Sequence, residues 1–200
     1  MGPALAVVAG YLAGSLPFGY WVARAFAGVD IRTRGSGNIG ASNVWREIGP
    51  GYGLAVAFLD ALKGFVPAFV TAIELGHGWA VAAGAAAMVG HSRPLFLWFA
   101  RGGKMVATCG GAFLGVAPLV GGIAAAVWIV VFALCRYASV ASIAAAIALP
   151  VATVLLDEPW PVIAFAVAAS LAVLVLHRAN IRRLRAGTES RIRFRRTARA

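Results

Sequence analysis

Apolar residues run along this chain in long blocks, and the polar positions gather between the blocks instead of alternating with them. A helix needs about 20 mostly apolar residues to cross a bilayer. Blocks of that kind cover residues 4–26, 52–75 and 79–99, the last interrupted near His91 and Pro94. From Met105 to Leu156 the chain stays apolar for 52 residues, broken at Ala117-Pro118 and at Arg136-Tyr137. These breaks predict helices over 105–117, 119–135 and 140–156, the first short for a crossing. Asp157-Glu158-Pro159 marks a turn, and a last helix is predicted over 160–176. The expected fold is an all-α integral membrane protein with seven transmembrane helices. It forms one polytopic domain over residues 1–200, with 177–200 a basic tail. The start of the chain has no charged n-region, so 4–26 reads as a retained span and not as a cleaved signal.

Composition agrees with this pattern. The chain is 61% apolar and 12% charged, with a mean hydropathy of +0.84, against roughly 45–50% and about 25% in ordinary globular proteins. That excludes a disordered tail, a disulfide scaffold and a typical cytosolic domain. Cys109 and Cys135 both lie in apolar stretches, which suggests neither a disulfide nor a zinc site.

Charge placement sets the orientation. Lys and Arg concentrate on the cytoplasmic side of membrane proteins. With the C-terminus cytoplasmic, seven crossings put the N-terminus outside, and 17 of the 18 basic residues then fall inside. Lys63, within the second span, is the exception. The outer turns hold Glu74, Asp157 and Glu158 and no Lys or Arg. Six crossings would divide the basic loops between the two sides. Half of the basic residues are arginines between Arg178 and Arg199, a tail suited to anionic membrane lipid, with no nucleic acid expected.

The uncommon polar residues gather on the inner side in three distant segments. The first is Gly35-Ser36-Gly37-Asn38-Ile39-Gly40-Ala41-Ser42-Asn43, followed by Arg46. Residues 35–40 match G-x-G-x-x-G, but that fingerprint requires a βαβ unit, and here membrane spans flank it. Backbone N–H groups, Ser and Asn donors, and the Arg46 fork still suit phosphate oxygens. The second segment runs from Gly90-His91 to Arg101-Gly102-Gly103-Lys104. Met105 after the lysine and Trp98 at the earlier glycine position exclude a Walker A loop. Gly-Gly-Lys before a helix nonetheless favours an anion through free N–H groups, helix dipole and ammonium. The third is His177-Arg178-Ala179-Asn180, continuing to Gly187-Thr188-Glu189, with Ser139 and Ser142 at the same depth. Each segment alone is also compatible with a plainer reading: a flexible polar loop for the first, anchoring at the headgroups for the second, and an interfacial histidine for the third. Asp60 and Lys63, three apart at mid-span, read as a structural ion pair or as the edge of a site. Gly111 and Gly115 at GxxxG spacing read as close helix packing.

Taken together, these segments resemble the bacterial acyl-phosphate:glycerol-3-phosphate acyltransferase family of integral membrane enzymes. The likeness begins at Gly14-Ser15-Leu16-Pro17-Phe18-Gly19 and includes 35–43 with Arg46, then Asp60-Ala61-Leu62-Lys63-Gly64 and Gly90-His91. It continues through Gly102-Gly103-Lys104, Val106-Ala107-Thr108 and Ser139/Ser142, and closes with His177 to Ile181, Arg183-Leu184 and Gly187-Thr188-Glu189. The resemblance implies seven spans with the N-terminus outside and the active site at the cytoplasmic face of the bacterial inner membrane. It implies transfer of a fatty acyl group from acyl phosphate to the 1-hydroxyl of glycerol 3-phosphate, giving lysophosphatidic acid, without cofactor or metal. Ser36, Arg46, Lys104 and His177 would be the catalytic set. Asn38, Asn43, Gly102, Gly103, Ser142 and Asn180 would bind substrate. The base is either His177 or the donor's own phosphate, which the resemblance favours; no His-x-x-x-x-Asp motif occurs. The family commonly has Gly-Gly-Lys-Gly, where Met105 stands here, and an aromatic or other apolar residue near Arg93; if Met105 narrows the phosphate loop, a glycine in its place should raise activity. Those departures keep open a divergent non-catalytic membrane paralogue. A carrier for an organic phosphate is the remaining alternative, with Asp60 and Lys63 its only mid-span charges.

Overall fold

The structure, a computed structural model, describes residues 2–192. Residues 193–200, with the last arginines of the basic tail, lie outside that range. The described residues form ten α-helices and no β-strand: α1 (Pro3–Gly14), α2 (Phe18–Ala27), α3 (Ala41–Glu47), α4 (Pro50–Leu75), α5 (His77–Ser92), α6 (Val106–Val116), α7 (Pro118–Cys135), α8 (Ala138–Leu155), α9 (Trp160–Leu176) and α10 (Arg178–Arg185).

The first block is not one helix. Pro17 has no N–H to give and its ring crowds the preceding turn, so α1 stops and α2 begins after Ser15-Leu16-Pro17. The break frees the Leu16 carbonyl, which accepts a hydrogen bond from Lys63 Nζ at 2.8 Å. The third block is also shorter than expected. α5 ends at Ser92, before Pro94, and the chain turns through Leu95–Leu97 with Trp98 and Phe99 at positive φ. The basic tail is partly helical: α10 leaves α9 at a bend of 55°.

Four segments are long and apolar enough to cross a membrane: α1 with α2, α4, α7 and α8. The bent pair α9 and α10 makes a fifth. α6 has 11 residues, about 16 Å at 1.5 Å per residue, well short of the hydrocarbon layer. The protein is a multi-pass helical membrane protein.

Backbone-to-backbone approach through small residues holds the bundle. α4 packs most extensively on α6, and α1 on α5. A Cβ on Gly64 would strike the Thr108 carbonyl, and one on Gly111 the Ala61 carbonyl. Lipid tails offer helices no hydrophobic incentive to associate, so this close dispersion contact is what stabilises the pairing. Phe113 of α6 stacks on Phe165 of α9 at 4.6 Å, both within the larger core cluster. A smaller cluster of Ile31, Ile39, Val44 and Val56 fixes the loop between α2 and α3 above α4.

Gly111→Ala is expected to lower the thermal midpoint of the detergent-solubilised protein by an amount equivalent to about 1–3 kcal/mol of overpacking. Gly122→Ala, whose added methyl meets nothing within 4 Å, should leave the midpoint unchanged or higher.

Candidate active site

The three polar segments converge on one cavity of about 630 Å³. Its polar end is built from the 36–46 loop and α3, from Lys104 just ahead of α6, and from the α9–α10 junction. Its apolar wall comes from α4, α6, α7 and α8, including Leu114, Trp128, Phe132 and Leu149.

Hydrogen bonds lock the segments to one another. Lys104 Nζ donates to Asn180 Oδ1 at 2.6 Å, and Asn180 Nδ2 donates to Glu189 Oε1 at 2.6 Å. Glu189 also accepts from Ser139 Oγ at 2.7 Å and, through Oε2, from Arg183 Nε at 2.6 Å. Asn38 Nδ2 reaches the Gly102 carbonyl at 3.0 Å, joining the first segment to the second. Residues separated by up to 153 positions, Ser36 and Glu189, therefore share one site.

The electrostatics follow from burial beside like charges. Lys104 is lowered to about 8, chiefly by desolvation, with Arg183, Arg46 and Arg101 adding repulsion against the pull of Glu189. Burial also lowers Arg46, whose guanidinium nonetheless stays charged at any ordinary pH. Burial alone would raise Glu189; its hydrogen bonds from Asn180, Ser139 and Arg183 outweigh this and hold the carboxylate below its ordinary value. His177, just past α9, is lowered to about 4, first by desolvation. Its Nδ1 is bound to the Val173 carbonyl at 2.8 Å. A neutral imidazole here uses Nδ1–H for that bond and leaves Nε2 as its acceptor. The site thus offers two cations and a neutral imidazole beside an apolar wall, a combination suited to an anionic headgroup with a long chain.

The family described as Glycerol-3-phosphate acyltransferase matches residues 4–187. The chain is 47% identical over 185 residues to the Glycerol-3-phosphate acyltransferase of Desulforudis audaxviator (strain MP104C), covering 92% of this chain and 93% of that protein. It is 46% identical over 185 residues to the same-named protein of Geobacter sulfurreducens, covering 92% and 94%. Among solved structures, it is similar to the glycerol 3-phosphate form of PlsY (YgiH), an integral membrane glycerol 3-phosphate acyltransferase, with TM-score 0.90, 39% identity and 94% of each chain covered. The lysophosphatidic acid form of PlsY (YgiH) gives 0.88 at 38% identity, covering 96% of each chain. The chain belongs to the glycerol-3-phosphate acyltransferase family. It is an acyltransferase.

Most residues singled out from the sequence of this acyltransferase line the cavity: Ser36, Asn38, Asn43, Arg46, Lys104, Ser142, His177 and Asn180. Several have side chains already committed. Asn43 Nδ2 donates to the carbonyls of Arg34 and Asn38, and its Oδ1 accepts from the Ser36 N–H at 3.0 Å, so it staples the loop that presents Ser36. Ser142 Oγ donates to the Ala138 carbonyl at 2.6 Å and accepts from Trp128 Nε1 at 3.2 Å. Gly102 and Gly103 do not line the cavity. Their N–H groups, expected to be free for an anion, are bound to the carbonyls of Ser92 and His91 at 3.0 Å each. The two glycines instead allow the loop to lie flat against the end of α5.

Met105 is likewise not a wall of the cavity. It is buried in the main core cluster with its backbone at φ 68°, the left-handed region that a glycine enters without strain. The departure from a glycine is therefore felt in backbone strain, and the phosphate loop is not narrowed by it. Arg93 is exposed, outside the cavity lining. Glu189, Asp60 and His91 also line the cavity, although the sequence-based site did not include them; Glu189 has the most hydrogen bonds of the three. Its signal was present in Gly187-Thr188-Glu189, but nothing in the spacing tells that this acid folds back beneath Asn180. Among the described residues no group of three or more His, Cys, Asp or Glu could hold a metal ion.

Glu189→Gln keeps the size but sets an NH₂ or a neutral oxygen against three donors. A hydrogen bond to a charged group contributes about 1.5–3 kcal/mol, and the thermal midpoint in detergent should fall accordingly. An unchanged midpoint would mean that Glu189 does not hold the segments together.

Proposed function

We propose that the cavity transfers a fatty acyl group from acyl phosphate to the 1-hydroxyl of glycerol 3-phosphate, giving lysophosphatidic acid and inorganic phosphate. The single observation that carries this reading is the continuity of the cavity, from Arg46 and Lys104 at one end to the Trp128, Phe132 and Leu149 wall at the other. Two phosphates need cations, and one acyl chain needs an apolar trough; both occur in one space. Arg46 and Lys104 gather the phosphates, with Ser36 beside them. Asn180 and His177 orient the acceptor, and Ser142 borders the same space.

In the reaction the 1-hydroxyl oxygen attacks the acyl carbonyl carbon, and the bond from that carbon to the phosphate oxygen breaks. The hydroxyl proton must leave with it. His177, lowered to about 4, is a weak base near neutral pH, so we assign the proton to an oxygen of the departing phosphate. The protein then contributes positioning and charge stabilisation, with Lys104 and Arg46 facing the negative charge that collects on the leaving group.

Purified protein given acyl phosphate and radiolabelled glycerol 3-phosphate should form lysophosphatidic acid, with acyl-CoA unable to replace the donor. Lys104→Ala should cost roughly 2.7–4 kcal/mol of transition-state stabilisation, as for loss of an oxyanion donor. Arg46→Lys, which keeps charge but loses the planar fork, should cost at least tenfold in kcat/KM. Full activity in both variants, or equal turnover with acyl-CoA, would refute the reading.

The polar junctions after α2, α5, α7 and α9 all meet at this cavity, which favours seven crossings with both short helices, α5 and α6, included. The basic loops favour a cavity at the cytoplasmic face of the bacterial inner membrane, with the N-terminus outside. The exposed Arg178, Arg182 and Arg185 of α10 would rest on anionic lipid there. With Cys109 and Cys135 removed, Gly78→Cys should react with an impermeant thiol reagent in intact cells. Ser190→Cys should react only after the membrane is opened; the reverse labelling would overturn the orientation.

A further inference from the structure

The Lys104 loop rests on a buried group that the reaction as described does not use. His91, 3% exposed, closes the inner end of α5 and borders the cavity together with Asp60, 2% exposed. Its carbonyl accepts the Gly103 N–H at 3.0 Å, one residue ahead of Lys104. Its ring lies over the same residue: a Cβ on Gly103 would collide with Nε2, Cε1 and Cδ2 of the imidazole. Backbone and ring of one histidine thus set both the height and the direction from which Lys104 departs.

The histidine is itself held from α4. Nδ1 lies 3.6 Å from Asp60 Oδ1, an electrostatic approach longer than a hydrogen bond, and it has no other partner among the described residues. The same carboxylate oxygen pairs with Lys63 Nζ at 2.8 Å. Lys63 in turn donates to the Leu16 carbonyl that Pro17 left free. A buried charge pair costs several kcal/mol to desolvate and is weak evidence for stability alone. Here it joins the α1–α2 break, α4 and α5 in one line that ends at the Lys104 loop.

We propose that His91, oriented by the Asp60–Lys63 pair, is a positioning residue that sets the reach of the Lys104 ammonium towards Asn180 and the phosphate. The proposal rests on the role given to Lys104 in the preceding subsection. His91 touches no reacting atom; it acts through Gly103. A shift of about an ångström in a positioned group costs on the order of 100-fold in rate, so a loosened loop is felt in catalysis before it is felt in folding.

A double-mutant cycle separates this role from general support of the bundle, because residues acting through one another are non-additive. Rates are measured with acyl phosphate and radiolabelled glycerol 3-phosphate, with enzyme in excess for the weakest variants. His91→Ala is expected to lower kcat about tenfold, with the KM for glycerol 3-phosphate within about twofold of the parent. In a Lys104→Ala background the same substitution should change the rate less than twofold. An equal tenfold loss in both backgrounds would overturn the proposal, as would full activity of His91→Ala alone. If His91→Ala does not accumulate as folded protein, His91→Asn, which keeps a polar group towards Asp60, carries the same cycle under the same criteria. Full activity of Lys104→Ala by itself would show instead that the assignment of Lys104 is wrong, a failure distinct from additivity.

Discussion

The ammonium of Lys104 meets the amide oxygen of Asn180 at 2.6 Å, and this contact between segments 76 positions apart holds a cation at the polar end of a cavity whose other walls are mainly hydrocarbon. An isolated charge in such a place would shed its proton or find water. Lys104 does neither fully. Asn180 is oriented by Glu189, and Glu189 is held by Ser139 and Arg183. The ammonium is partly destabilised by burial and by neighbouring guanidiniums, which leaves it more responsive to an added phosphate than a solvated lysine would be. The network is costly when incomplete and rigid when satisfied.

The same constraint explains the small residues of the bundle. Gathering four polar junctions around one cavity requires that α4, α6, α1 and α5 approach closely, and Gly64, Gly111 and the Ala83 and Ala87 surfaces permit it. The close packing of α4 on α6 also brings Asp60 and Lys63 beneath the loop that carries Lys104. Asp60 and Lys63 are paired with one another, beside His91 and the Leu16 carbonyl, as a structural ion pair at the edge of the cavity.

Much of this was legible in the sequence. Long apolar blocks gave the helical membrane architecture, and the clustering of rare polar residues on one side pointed to Ser36, Arg46, Lys104, His177 and Asn180, all of which line the cavity. What remained hidden depended on partners remote in the chain. Pro17 was visible, yet the block around it read as one helix, because hydropathy is blind to a lysine in another helix that satisfies the broken turn. Gly102 and Gly103 looked like free donors, because spacing cannot reveal that α5 ends with its carbonyls aimed at them. Met105 left open whether the loop is narrowed, and only the fold shows that its side chain turns into the core while the strain falls on its backbone. Glu189 stood in plain view, and its function as the hub of three donors appears only when the chain after α10 folds back.

Lys63 and Lys104 are the only lysines in the chain, and Lys63 is buried in its ion pair, so amine labelling followed by mass spectrometry reads Lys104 almost alone. Labelling across a pH series, with and without glycerol 3-phosphate, tests whether this ammonium is the buried cation around which the cavity is assembled. The Lys104 amine should titrate well below the ordinary 10.5, at about 8, and glycerol 3-phosphate should protect it. Labelling that follows the ordinary value of 10.5 and ignores glycerol 3-phosphate would contradict that assignment.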